Sequence, residues 1–286
     1  MPKRTKIPPR GYYTANEAAK RLKLPLATFY VRYRGGKIKA EKWAPKGYTE
    51  GFYSKRDIDE IAQEQELVEL LHSEEPIIFD RVRSEDDIRG IVDLCVAIYG
   101  QEGTPSYDAR YEIWQKNPEV YYIVRQGDIV VGYISLIWFD EEALETLMGP
   151  TQKKSYASSA GNGIYSVTGP EHILPFIEGQ PIGSLFISLG VRTGMSNSEQ
   201  RGYAVKLLRG TQDVLSDFAR RGMPVQKLYG TSERGDGINL AQRLGMKETR
   251  YPGDKIRRYE LDLETSDHPL LLPYRQALDE WKSRSH

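Results

Sequence analysis

Apolar positions along the chain recur at helical spacing in some stretches and alternate at strand spacing in others. Near the start, Ala18, Ala19 and Leu22 form one apolar helix face behind Thr14 and Glu17, the spacing of a capping box. Pro25 opens a second helix through Arg34, where its missing N–H costs nothing, and Gly35-Gly36 stop it. Lys37–Ala40 and Gly51–Tyr53 read as the two strands of a hairpin, with a polar loop between them. Ser54 caps a third helix, and Ile58, Ile61, Leu67, Leu70 and Leu71 carry its period through residues 55–74. Beyond it, Pro76–Val82 predicts a strand. Ser84 then caps a helix with Ile88, Ile91, Val92, Cys95 and Ile98 on one side, and Tyr107–Gln115 a shorter one. Val120–Arg125 and Ile129–Phe139 flank a hairpin turn at Gln126-Gly127-Asp128. A polar, Gly-rich stretch over 150–183 reads as an insertion or a lid. Ser184–Val191 is a strand, Gln200–Val205 opens a long amphipathic helix, and Val225–Tyr229 is a strand. Asn239–Met246 is a short helix ended by glycine, and Arg257–Leu263 is a final strand.

With 286 residues the chain is long enough for two cores. Residues 1–60 hold 15 Lys and Arg against 6 Asp and Glu, whereas the whole chain holds 40 of each. The first sixty residues therefore carry +9 and the rest −9, an asymmetry that points to a polyanion partner for the basic part. The single cysteine, Cys95, allows no intrachain disulfide, which fits a reducing compartment. No apolar run approaches the ~20 residues of a membrane span, and the basic N-terminus lacks a signal peptide's apolar stretch. The expectation is a cytoplasmic protein that makes no membrane contact. His72, His172, His268 and His286 are scattered, with no pair at ligand spacing, so no metal site is expected.

The order Thr14…Glu17-Ala18-Ala19…Leu22…Leu24-Pro25…Thr28-Phe29-Tyr30…Gly36-Lys37-Ile38…Tyr53-Ser54-Lys55-Arg56-Asp57-Ile58 resembles the excisionase/MerR-type winged helix-turn-helix family. The resemblance implies DNA binding, with the second helix in the major groove and the wing on the backbone. Arg32 and Arg34 are then the candidate base or phosphate readers, and Lys37, Lys39, Lys42 and Trp43 the wing contacts.

Further on, Arg201-Gly202-Tyr203-Ala204 resembles the Arg-Gly-x-Gly/Ala part of the CoA-binding motif of the GNAT acyltransferases. Leu240…Leu244-Gly245-Met246 resembles that family's Leu…Leu-Gly-Phe ending. The order strand, two helices, three strands, helix, strand, helix, strand is that of the same fold. The resemblance implies acetyl-CoA, or another acyl-CoA, bound across Val191, Arg192 and Thr193 and across Gln200, Arg201, Gly202, Tyr203, Ala204 and Val205. A helix start offers a pyrophosphate free N–H groups and a positive dipole end. An amine acceptor would attack the thioester, with Glu233, Asp236 and Tyr229 as candidate acid–base groups. Three features depart from the family pattern: Lys206 replaces a small residue, the Val191–Arg201 connection is long, and Ala241 stands where a proton-donating tyrosine is common.

The expected fold class is thus α+β, a small winged helix-turn-helix domain followed by a GNAT-like mixed-sheet domain. The expected organisation is a basic arm (1–10), the winged domain (11–62), a helical linker (63–75), the transferase-like domain (76–264) and a helical tail (265–286). Two functions follow. One is a DNA-bound N-acyltransferase. The other is a non-catalytic transcriptional or mobile-element regulator whose second domain senses a CoA ligand or dimerises, so a homodimer is among the expected assemblies.

Overall fold

The computed structural model describes residues 8–44, 51–71, 75–101, 104–150 and 170–284, with the side chains of 67–71 left aside. The chain divides into two compact units, Met1–Glu74 and Glu75–His286.

In the first unit, β1 (Tyr12–Tyr13), α1 (Ala15–Arg21), α2 (Leu26–Arg34), β2 (Lys42–Trp43), β3 (Phe52–Ser54) and α3 (Lys55–Leu71) follow one another. Thr14 and Glu17 close the capping box of α1 from both sides. Lys23 takes a left-handed conformation, φ 52°, and turns the chain sharply between α1 and α2. Phe29 is fully buried, and the Tyr53 ring meets Phe29 and Tyr33 edge-on at 4.9 and 5.0 Å. This anchors α2 by one face. Ala27, Val31 and Arg34, at i, i+4 and i+7, consequently point outward. The three strands lie in the order β1-β3-β2, antiparallel throughout. The strand expected over Lys37–Ala40 is absent; β3 pairs instead with Lys42–Trp43. Ile38 and Ala40 are buried there without a ladder, so packing accounts for the alternation that reads as a strand.

The second unit is built on one seven-stranded mixed sheet, ordered β4-β5-β6-β7-β8-β10-β9. Its strands are β4 (Ile77–Arg81), β5 (Tyr121–Gln126), β6 (Ile129–Ile137), β7 (Ile182–Val191), β8 (Val225–Ser232), β9 (Lys247–Thr249) and β10 (Arg257–Asp262). All neighbours are antiparallel except β7 and β8. A parallel pair needs a crossover, which α7 (Asn197–Arg220) supplies. Alternate residues Tyr121, Ile123, Tyr133, Ile137 and Phe186 face one side of the sheet. There they meet α4 (Glu85–Tyr99), α5 (Tyr107–Lys116) and α6 (Glu141–Met148) in one apolar cluster. On the other face lies α7, with α9 (Leu272–Arg284) packed against it. Gly210 is needed in α7 because any Cβ there would overlap the ring of Phe79 on β4.

In the second unit one α-helix and one strand escaped the sequence reading, as β1 did in the first. Helix α6 starts at Asp140, whose carboxylate accepts from the Ala143 amide at 2.9 Å, and buries Ala143 and Leu147. Strand β9 has only three residues and half-exposed or exposed side chains, so it shows no periodic signal. The long helix begins at Asn197, three residues before the expected start. Helix α8 (Gly235–Arg243) likewise begins four residues early. Within the expected lid, residues 151–169 lie outside the described residues, while Pro170–His172 form a short 3-10 turn.

Candidate functional site

The sheet opens at one place. Strand β7 pairs with β6 as far as Gly132↔Val191, and β8 pairs with β10 as far as Arg257↔Ser232. Between themselves, however, β7 and β8 stop pairing at Phe186↔Tyr229. The two strands therefore part beyond Ile187 and Gly230, which still touch, and leave a gap between Ser188–Val191 and Thr231–Ser232. Glycines shape its walls. A Cβ on Gly190 would lie 2.9 Å from the Tyr133 ring and 3.0 Å from Ile98, and one on Gly230 would lie 3.3 Å from the Ile187 carbonyl oxygen.

Side chains from distant segments close round this gap. Tyr99, at the end of α4, donates its hydroxyl to the Leu189 carbonyl at 3.4 Å. Arg234, the N-cap of α8, sets its guanidinium 5.5 Å from the Tyr99 ring centre and donates to the Ile98 carbonyl at 2.6 Å. Beneath them, the Tyr133 hydroxyl meets Ser188 Oγ at 3.2 Å, and the buried Arg110 lies over the Tyr133 and Tyr121 rings and donates to Cys95 Sγ at 3.2 Å. Burial pushes the Tyr99 hydroxyl above the ordinary phenol range, the nearby Cys95 adds to this, and Tyr133 and Arg234 oppose it. Burial lifts Tyr133 well up as well. Both phenols keep their protons at neutral pH. The loop between β9 and β10 reaches the same end of the sheet, where Tyr251 donates to the Met148 carbonyl at 3.1 Å and Arg258 pairs with Asp254 at 2.6 Å.

Helix α7 starts beside the end of β7, and its first turn is already closed. Ser196 Oγ accepts from the Glu199 amide at 3.3 Å, while Glu199 accepts from the Ser196 amide and hydroxyl at 3.1 and 2.6 Å. Glu199 thus places a carboxylate of the chain's own at the positive end of the helix. The expected cofactor residues are distributed by this earlier start. Arg201, Gly202, Tyr203, Ala204 and Val205 lie inside the helix, where each residue turns about 100°, so they cannot all line one site. Tyr203 is buried against the sheet and donates to Gln126 at 2.7 Å. Arg192 is buried too, Val191 and Gln200 are half-buried, and Thr193, Arg201 and Val205 are exposed. A Cβ on Gly202 would meet nothing within 4 Å, so open space lies beside it.

The three acid–base candidates do not form one constellation. Tyr229 sits on β8 at the last paired rung, half-buried against the apolar cluster that includes Phe186. Its pKa is raised first by burial and then by Glu260. Glu233 and Asp236 are exposed, one just before α8 and the other in its first turn. Ala241 is buried in α8. Sequence reasoning missed Tyr99, Arg234 and Leu189, which meet only through tertiary packing. It also missed the Ser196…Glu199 box, which the spacing could have revealed. In the first unit, Arg32 and Arg34 end α2, Lys37 and Lys39 follow it, and Lys42 and Trp43 form β2; all six are exposed. The Trp43 ring lies tilted against Tyr12 and Phe52, with centroids 5.8 and 6.0 Å away.

No helix among the described residues is long and apolar enough to cross a membrane, and no group of His, Cys, Asp and Glu among them is placed to hold a metal ion. No family model matches the chain, and no curated protein matches it. Solved structures similar to it include an N-acetyltransferase from Staphylococcus aureus Mu50, at 15% identity and TM-score 0.38, covering 65% of this chain and 98% of that one. Another is a putative acetyltransferase from Salmonella typhimurium solved with its cofactor acetyl-CoA, at 12% and 0.38, covering 68% and 97%. A third is the loading GNATL domain of CurA from Lyngbya majuscula, at 13% and 0.43, covering 65% and 98%. At these scores the likenesses carry no argument about activity, which rests on the site's own geometry.

Proposed function

We propose that the second unit binds an acyl-CoA in the β7/β8 gap and transfers its acyl group to an amine, while the first unit, a winged helix-turn-helix module, holds the protein on DNA. The parting of β7 and β8 after Phe186 and Tyr229 carries the transferase part of this reading. An open strand edge is uncommon in the middle of a sheet, and its unpaired backbone groups suit an extended ligand bearing amides. The open side of Gly202 and the exposed Lys206 one turn further on the same face suit the phosphates of such a ligand. In the reaction the amine nitrogen bonds to the thioester carbonyl carbon, the C–S bond breaks, and the proton lost by nitrogen ends on the thiolate. Glu233 or Asp236 would take the amine proton, ahead of Tyr229, which is half-buried at the last paired rung. For the first unit, the outward Arg32 and Arg34 and the exposed Lys37, Lys39, Lys42 and Trp43 support a duplex partner, since among the described residues no carboxylate pairs with Arg32, Arg34, Lys37 or Lys39.

One observation favours a second reading. With the buried alanine at 241, which cannot donate a proton to a leaving thiolate, the gap is better equipped to bind than to catalyse, as a CoA-sensing or dimerising regulator would be.

Thermal unfolding with excess acetyl-CoA tests the site in the wild type and in Gly202→Leu. A ligand at about 100 times its Kd stabilises the fold by about 2.7 kcal/mol, a shift of a few degrees. A Cβ at this position meets nothing within 4 Å and the substitution replaces a poor helix former, so the variant is expected to fold and to lose that shift. A wild type that does not shift would remove the acyl-CoA site. A variant that shifts equally would move the ligand away from α7.

A further inference from the structure

The open edge of β7 is not bare. The Ile187 carbonyl lies toward Gly230 of β8, and alternate residues of a strand direct their backbone groups to the same edge, so the Leu189 carbonyl is the next acceptor beyond the last paired rung. The Tyr99 hydroxyl occupies that acceptor at 3.4 Å, across 90 residues of sequence. Arg234 clasps the same tyrosine: its guanidinium stacks over the ring, and its bond to the Ile98 carbonyl ties the loop after β8 to the end of α4. Nevertheless the tyrosine is 39% exposed, so part of it is in contact with solvent. Its bond to Leu189 is long for O–H···O, which makes it one that a ligand amide at normal distance can replace.

We propose that Tyr99 guards the gap: in the free protein its hydroxyl holds the place on Leu189 that an amide of an extended acyl-thioester carrier takes on binding. This rests on the acyl-CoA reading and adds to it a hydrogen bond that must be exchanged before the arm of the ligand can pair with β7. The amide-bearing arm of CoA fits that edge, whereas its nucleotide end, which has no such arm, does not need it. The two parts of the ligand should therefore respond differently to the loss of one hydroxyl.

Calorimetric titration of the full chain with CoA, and separately with adenosine 3′,5′-bisphosphate, tests this on the wild type and Tyr99→Phe. The variant is expected to bind CoA about 2- to 10-fold more tightly, the worth of one competing hydrogen bond. Its affinity for the bisphosphate should be unchanged. Equal or weaker CoA binding by the variant, with the wild type binding normally, overturns the role of Tyr99 and leaves the acyl-CoA site standing. Failure of both chains to bind CoA removes the site and this proposal with it. If Tyr99→Phe does not fold, Arg234→Gln keeps the hydroxyl but frees the ring. It should shift CoA affinity in the same direction by a smaller factor, and unchanged or weaker binding again overturns the proposal.

Discussion

The two units carry their candidate chemistry in different materials. The first displays it on side chains: Arg32, Arg34, Lys37, Lys39, Lys42 and Trp43 project from a small core made by Phe29, Tyr53, Ile58 and their neighbours. The second holds it in backbone, as a gap between two strands that are each still paired on their outer sides. A site of exposed side chains can be altered with little effect on the fold. A site of backbone groups depends on the packing that spreads the strands, so stability and binding should move together there.

That contrast can be broken by experiment. The largest effect is expected from Phe186→Ala, at the last paired rung of β7, where the ring is buried against Phe139. Truncation should cost about 3–5 kcal/mol in denaturant unfolding and abolish acyl-CoA binding as well. Binding retained at full strength would show that the gap does not depend on that rung. In the first unit, Arg32→Ala combined with Arg34→Ala should leave the unfolding curve in place. DNA affinity should fall by about 1–3 kcal/mol for each arginine that reads a base, and the salt slope should shrink. Unchanged affinity with an unchanged slope would mean that α2 does not face the duplex. A smaller loss, about 0.5–2 kcal/mol, is expected for Ser196→Ala, which removes the cap of α7. If the variant also gains affinity for acyl-CoA, the Glu199 box competes with the ligand; a loss of affinity would make the box part of the site.

The smallest effect concerns pH. His172 Nδ1 lies 2.8 Å from Asp140, whose bond raises the histidine pKa, while the Ala143 amide and His172 lower that of Asp140. A raised histidine pKa gives stability that is full below the unfolded value, about 6.5, and lost as pH rises through the folded one. A lowered aspartate pKa gives stability present above the unfolded value, about 3.8, and lost as pH falls through the folded one. The pair therefore contributes most between about pH 4 and 6.5. Asp140→Asn keeps the cap oxygen and removes the charge. Its Tm should fall below that of the wild type in this window and approach it above neutral pH. A difference independent of pH would assign the loss to the cap alone.

Much of the fold could be read from the chain because its signals are local. The capping boxes at Thr14 and Ser84, the alternation in β5 and β6, and the apolar stripes of α4 and α7 depend on neighbours within a few residues. Even the start of α7 is written locally, in Ser196 and Glu199, although the glycine at 202 imitates a later beginning. The basic face of the first unit was legible for the same reason, since an exposed charge needs no partner to be recognised. What the sequence by itself determined is therefore the set of elements, their apolar faces and the charge each unit presents. The tertiary structure alone decided where β7 and β8 part, that Tyr99 of α4 reaches Leu189, and that Arg234 reaches both Ile98 and Tyr99. Those hydrogen bonds join residues about 90 to 136 positions apart. Their geometry comes from helices packing on a twisted sheet, a balance of many weak apolar interactions that no single stretch of sequence records.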